Sequence, residues 1–135
     1  MDSYVYLEQG VFEMKTELRD NWITALRSGK YNQAREVLHG GFNSYCCLGV
    51  LCKVAGAEFE EYAPDVDYPD VVWENRPVLK GDTLADEMGE SLKSSFLQEI
   101  GLSSTEEQEL IKLNDDERFD FIQIADHIEK NIPGE

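Results

Sequence analysis

From Ala57 to Asn75 the chain has no basic residue, and nowhere does it have an apolar run long enough to cross a bilayer. The N-terminus lacks a basic patch leading into an apolar segment, so no secretory leader is expected. Cysteine is scarce and clustered: Cys46, Cys47 and Cys52 lie within seven residues and are odd in number. A disulfide framework would spread its cysteines, so reduced thiols and a soluble, cytoplasmic protein are expected. No Cys-x-x-Cys pair and no Walker-type or Rossmann glycine pattern occurs. Histidine is limited to His39 and His127.

What is there is a chain of one-domain length, 135 residues, with 41% hydrophobic residues and two tryptophans. That is enough to bury a core without disulfides or metals, and too apolar for a disordered chain. The net charge of −16 is uneven. Up to Ala57, six acids (Asp2, Glu8, Glu13, Glu17, Asp20, Glu36) meet six bases (Lys15, Arg19, Arg27, Lys30, Arg35, Lys53). The whole excess of negative charge therefore lies beyond that point. Direct contact with nucleic acid or an anionic membrane is disfavoured there, and a basic protein partner is favoured.

The patterning predicts a single α+β domain, mostly helical, over 14–135, with residues 1–13 as an N-terminal arm or strand. Tyr4-Val5-Tyr6-Leu7 in that arm is suited to packing, including homodimer contacts. Leu18, Trp22, Ile23 and Leu26 recur at helical spacing in a helix over 14–28, stopped by Gly29. Residues 31–45 read as irregular or two-stranded, with His39-Gly40-Gly41 as a turn and Asn43 or Ser44 capping the next helix. Cys46 to Ala55 is apolar all round except for Lys53, the pattern of a buried central helix. Gly49 in its middle costs about 1 kcal/mol of helix propensity relative to Ala, which points to close approach of another backbone.

Pro64, Pro69 and Pro77 exclude a long helix over 57–79, where a small antiparallel sheet is expected, with a hairpin across Glu74-Asn75-Arg76. A helix over 91–100 stops at Gly101, and Ser104 to Glu107 fits a capping box. Asn114-Asp115 reads as a turn, and a last helix from about Asp116 to Asn131 carries Phe121, Ile124, Ala125, Ile128 and Ile132 on its buried face.

Three segments together are distinctive. They are Trp22 to Gln33, Tyr45-Cys46-Cys47-Leu48-Gly49-Val50-Leu51-Cys52, and Leu110 to Asp115 followed by Phe121 and Ile124-Ala125-Asp126-His127-Ile128-Glu129. Their order and spacing resemble a family of uncharacterised small proteins of bacteriophages and prophages. The resemblance implies an accessory protein acting in the host bacterial cytoplasm, and it brings no catalytic residue with it.

The residues offer several chemistries. Three cysteines on one helix cannot aim at one ion, so burial as small hydrophobes is favoured over a metal site, and no cofactor is expected. A cysteine at a helix start gains thiolate character from the helix dipole, which keeps a cysteine hydrolase as an alternative. It would need a base, and His39 and His127 are the only histidines for that role. Asp65, Asp67 and Asp70 lack the glycine and register of a calcium loop.

Glu58, Glu60, Glu61, Asp65, Asp67, Asp70 and Glu74 form the expected partner-binding surface. Joined by Glu106, Glu107, Glu109, Asp115, Asp116, Glu117 and Asp120, they are numerous enough to imitate a nucleic-acid backbone if they share one face. In the neutral part, Arg27, Lys30 and Arg35 flank Gly40-Gly41, with Tyr31 beside them, as a constellation suited to phosphate or a small nucleotide. The expected function is non-enzymatic: neutralising a host protein that is itself basic or nucleic-acid-binding, through the acidic surface. The alternative is sequestration of a host signalling nucleotide.

Overall fold

A computed structural model describes residues 13–35, 37–41, 43–62, 74–85 and 91–135, with 40–41, 60–62 and 74–76 as backbone only. The arm over 1–13 lies outside them, apart from Glu13, as do Asp65, Asp67 and Asp70.

The helix Thr16–Arg27 (α1) forms where the sequence predicts it, and its stripe of Trp22, Ile23 and Leu26 is buried. Next come three short strands, Asn32–Gln33 (β1), His39–Gly41 (β2) and Ser44–Tyr45 (β3). They make one sheet in the order β1-β3-β2, with β1 parallel and β2 antiparallel to β3. The expected turn at His39-Gly40-Gly41 is therefore a strand. It carries a register shift between His39 and Gly41, and its pairing with β3 outweighs the glycine signal.

The helix Cys47–Val54 (α2) comes next, with Cys47 through Cys52 all buried. A Cβ on Gly49 would run into the carbonyl of Leu38, so the chain entering β2 crosses this helix at backbone distance. Its N-cap is Cys46, not Asn43 or Ser44. Ser44 is used in β3, and the Asn43 side chain donates to the Lys30 carbonyl instead.

Glu58–Tyr62 (β4), Glu74–Leu79 (β5) and Asp82–Thr83 (β6) form the antiparallel sheet expected in the acidic segment. No hairpin turns at Glu74-Asn75-Arg76. Those residues pair in unbroken register with β4, from Glu58↔Val78 to Tyr62↔Glu74. The tight turn is Lys80-Gly81, both residues at positive φ (53° and 86°), which matches the right-handed twist of a two-residue hairpin.

The remaining helices are Ser94–Ile100 (α3), Ser104–Asp115 (α4) and Phe121–Asn131 (α5). α3 begins three residues later than expected because Leu92 is used in a bridge with Ala85. The capping box sits one residue earlier, between Ser103 and Glu106. Asn114-Asp115 is the last turn of α4 rather than a loop, and α5 starts at Phe121 behind a second capping box of Asp120 and Gln123.

These elements bury one cluster that runs from Met14 to Ile132 and draws on every helix. Burying each large aliphatic side chain in it contributes about 1.5–3 kcal/mol. α1 packs between α2 and α5, and α4 closes against α2. Both ends of the described chain meet beside α1: Met14 N donates to the Pro133 carbonyl (3.0 Å) and Glu135 N to the Met14 carbonyl (2.9 Å). Arg19 completes the joint, donating to the carbonyls of Ile132 (2.6 Å) and Glu129 (2.9 Å), which α5 leaves unsatisfied at its end. On the other side Lys15 N donates to Ile100 O at 3.1 Å. Gly101, at φ +83°, lies so close to Glu13 that a Cβ there would strike its carbonyl. The protein is an α+β domain built on a buried central helix.

Candidate functional site

Three places in this fold hold the residues that the sequence singles out: the start of α2, the turn after α1 and the acidic sheet.

Cys46 and Cys47 at the start of α2 and Cys52 further along it are all buried. Burial pushes the Cys46 thiol up to about 12, against the downward pull of the Gly49 and Leu48 amides at the helix start. Cys47 and Cys52 are raised as well, again chiefly by burial. Desolvation thus outweighs the helix N-terminus, and the thiols are held neutral, the opposite of an activated nucleophile. The Cys47 Sγ lies 3.9 Å from the Leu110 carbonyl. His127 lies on α5 and reaches α4, with Nε2 3.2 Å from Glu109 and Nδ1 3.2 Å from the Asn131 amide. His39 stacks on Tyr45 at 4.4 Å, and its Nδ1 lies 2.8 Å from the Ser44 carbonyl. Among the described residues no three His, Cys, Asp or Glu side chains gather as metal ligands.

What organises this region is a residue whose type and neighbours predict a turn. Asn114 is 1% exposed and joins three elements. Its Oδ1 accepts from the Gln33 side chain (2.8 Å) and, more weakly, from Cys47 N at the first turn of α2 (3.4 Å). Its Nδ2 donates to the Ala34 carbonyl (2.9 Å) and to Asp115 (2.7 Å). Trp22 adds a further tie from α1, donating from Nε1 to the Cys47 carbonyl at 2.9 Å. A signal for Asn114 was available, since it falls four residues after Leu110 on the same helical face.

The basic constellation divides among separate tasks. Arg27, at the end of α1, donates to Asp126 (2.7 Å) and Glu129 (3.1 Å) on α5. The hydrogen bonds to Glu129 and then Asp126 raise its pKa, and Arg27 in turn lowers that of Glu129. Arg35 donates to the Asn114 carbonyl. Tyr31 is half-buried and meets Tyr45 edge-on at 5.5 Å. Burial raises the Tyr45 phenol, and Tyr31 adds to the shift. Lys30 is exposed, and Gly40 and Gly41 lie in β2. The amide of Cys47, which a phosphate at this helix start would use, points to Asn114.

Of the acidic residues, Glu58 opens β4 and is exposed, while Glu60 and Glu61 come later on the same strand and Glu74 begins β5. Phe59, between them, turns to the core and meets His39 (4.9 Å) and Tyr45 (5.3 Å). Glu60 is the register partner of Arg76. Glu107 does not belong to any surface row: it is 3% exposed and accepts from Leu92 N at 2.7 Å. Glu106 and Asp120 are engaged in the two capping boxes, whereas Glu109, Asp116 and Glu117 are exposed. An open groove of about 330 Å³ runs between Leu18, Val54, Leu79 and Phe96, rimmed by Lys15, Glu17 and Glu99.

No helix among the described residues is long and apolar enough to cross a membrane. No curated protein and no solved structure matches the chain. A family model does match over residues 14–132, so the chain belongs to the DUF8296 family, a domain of unknown function.

Proposed function

We propose that this is a non-enzymatic binding protein that captures a basic protein partner through its acidic second part. The observation that carries this reading is the division of labour in the chain. The neutral first part supplies the central helix, while the excess carboxylates lie beyond Ala57, with Glu58, Glu109, Asp116 and Glu117 exposed. Such a surface favours encounter with a cationic partner and repels nucleic acid. The neutral, buried thiols and the engagement of Arg27 and Arg35 within the fold direct attention to the same surface.

The resemblance of the three sequence segments to phage and prophage proteins extends the proposal to a setting. The protein acts in the cytoplasm of an infected bacterium and neutralises a host factor, with defence proteins that handle nucleic acid as the favoured class. The test is capture of partners from infected cells by the tagged chain at low and high salt, alongside a Glu58→Lys/Glu60→Lys/Glu61→Lys variant. Loss of the partner both at high salt and in the variant is expected. Capture that survives both would overturn the proposal.

A further inference from the structure

We infer that the outer edge of β4 is a strand-addition site for an extended, basic segment of a protein partner. This rests on the reading of the acidic part as a binding surface and gives it a mode of contact. In the order β4-β5-β6, β4 is hydrogen-bonded on one side only among the described residues. A strand paired on one side directs the N–H and C=O of alternate residues to the open side. β4 keeps its register with β5 over all five residues and contains no proline. It therefore offers a straight edge of about 17 Å, at about 3.4 Å per residue.

The other edges are poorer templates. β6 is two residues long, and beside it Lys93 Nζ donates to Thr83 Oγ1 at 2.8 Å. β1 is also two residues long, and β2 carries a register shift.

Open edges are commonly guarded by lysine, proline or a bulge. β4 has none of these and reads Glu-Phe-Glu-Glu-Tyr. Carboxylate-bearing residues on an edge select their occupant. A second copy docking edge to edge would bring three acids alongside three more, with Glu60 directly opposite Glu60 in the full antiparallel register, and like charges so placed destabilise the pair. An extended segment with lysine or arginine at alternate positions would gain backbone hydrogen bonds and opposite charge together. The occupant is thus a basic strand of another protein rather than a second copy of this chain.

The experiment uses the full chain and two labelled peptides of about ten residues and equal charge, long enough to span the edge. One alternates Lys and Val, and in the other two valines are replaced by proline, which removes strand N–H groups. The alternating peptide is expected to bind roughly tenfold tighter by fluorescence anisotropy. It should slow amide exchange at Glu58–Tyr62, and the triple charge reversal at Glu58, Glu60 and Glu61 should abolish binding, with a cooperative thermal unfolding transition by circular dichroism reporting that the variant is folded. Equal affinities for the two peptides would overturn strand addition while leaving acid-driven capture standing. Failure of the chain to bind either peptide, or binding undiminished in the reversed variant, would overturn strand addition as well.

Discussion

Around the start of α2, one buried asparagine ties together β1, α2 and α4, and a neighbouring backbone fills the space above Gly49. Along β4 the opposite holds: one side is paired, the other is open among the described residues, and the sequence is dominated by charge. The first region is specified by fit, in which each atom's position depends on others distant in sequence. The second is specified by pairing register and by electrostatics, which tolerate changes of side chain. The two regions should therefore respond to mutation in different ways.

The largest effect should come from breaking the fit. Gly49→Ala drives a methyl group into the Leu38 backbone, and Asn114→Leu removes the partner of the buried Ala34 carbonyl and one of the two acceptors of the Gln33 amide, the other being the Phe119 carbonyl. Each should cost about 3 kcal/mol in denaturant unfolding, a scale set by overpacking and by unsatisfied buried polar groups. A cost for either below that of an ordinary surface substitution would remove the distinction between the two regions.

Next comes alkaline pH. The unfolded chain releases its thiol protons near the ordinary value of 9.0, whereas native Cys46 holds its proton to about 12 and burial raises the other two well above the ordinary value. The native state then binds more protons than the unfolded state above pH 9, so stability falls as pH rises. The loss from Cys46 is about 1 kcal/mol at pH 10, the other two thiols act in the same direction, and Cys52→Ala should reduce the total. Labelling by a thiol reagent should be slow in the native protein and fast in denaturant.

A smaller, opposite effect belongs to the acidic sheet. Lys80 occupies a left-handed conformation in the β5–β6 turn, so Lys80→Asn should stabilise the protein by about 0.5–1 kcal/mol, visible as a higher melting temperature. Smallest of all, Arg27→Ala should lower the melting temperature slightly, and less so at high salt, since its pairs with Asp126 and Glu129 are exposed. Because Arg27 holds the Glu129 pKa down, that contribution is present above the ordinary value of 4.5 and is lost as pH falls below it.

What could be read from the sequence divides along the same line. The stripes of α1 and α5 and the all-round apolar pattern of α2 are local and periodic, so Trp22, Ile124 and Cys47 announce their burial directly. Gly49 betrays its contact because glycine is costly inside a helix. His39-Gly40-Gly41 and Glu74-Asn75-Arg76 misled because pairing with a strand elsewhere overrides local turn preference. Asn114 and Glu107 look like turn and surface residues by type. Partners 67 residues (Cys47) and 15 residues (Leu92) away make them interior, and the one local hint is the four-residue spacing of Asn114 from Leu110. For the candidate site, the thiols could be recognised as core from their spacing, but the engagement of Arg27 and Arg35 depends on α4 and α5 and is invisible locally.

The joint between Met14 and the segment from Pro133 to Glu135 has a consequence for how the chain comes into being. The pairing spans nearly the whole sequence, so loop closure opposes it more than any helix contact. During synthesis α1 emerges early, but its Arg19 must wait for the carbonyls of Glu129 and Ile132. A ribosome-bound chain therefore keeps one flank of α1 open until residues 129–135 have emerged. Their arrival then fastens the start of the domain to this segment.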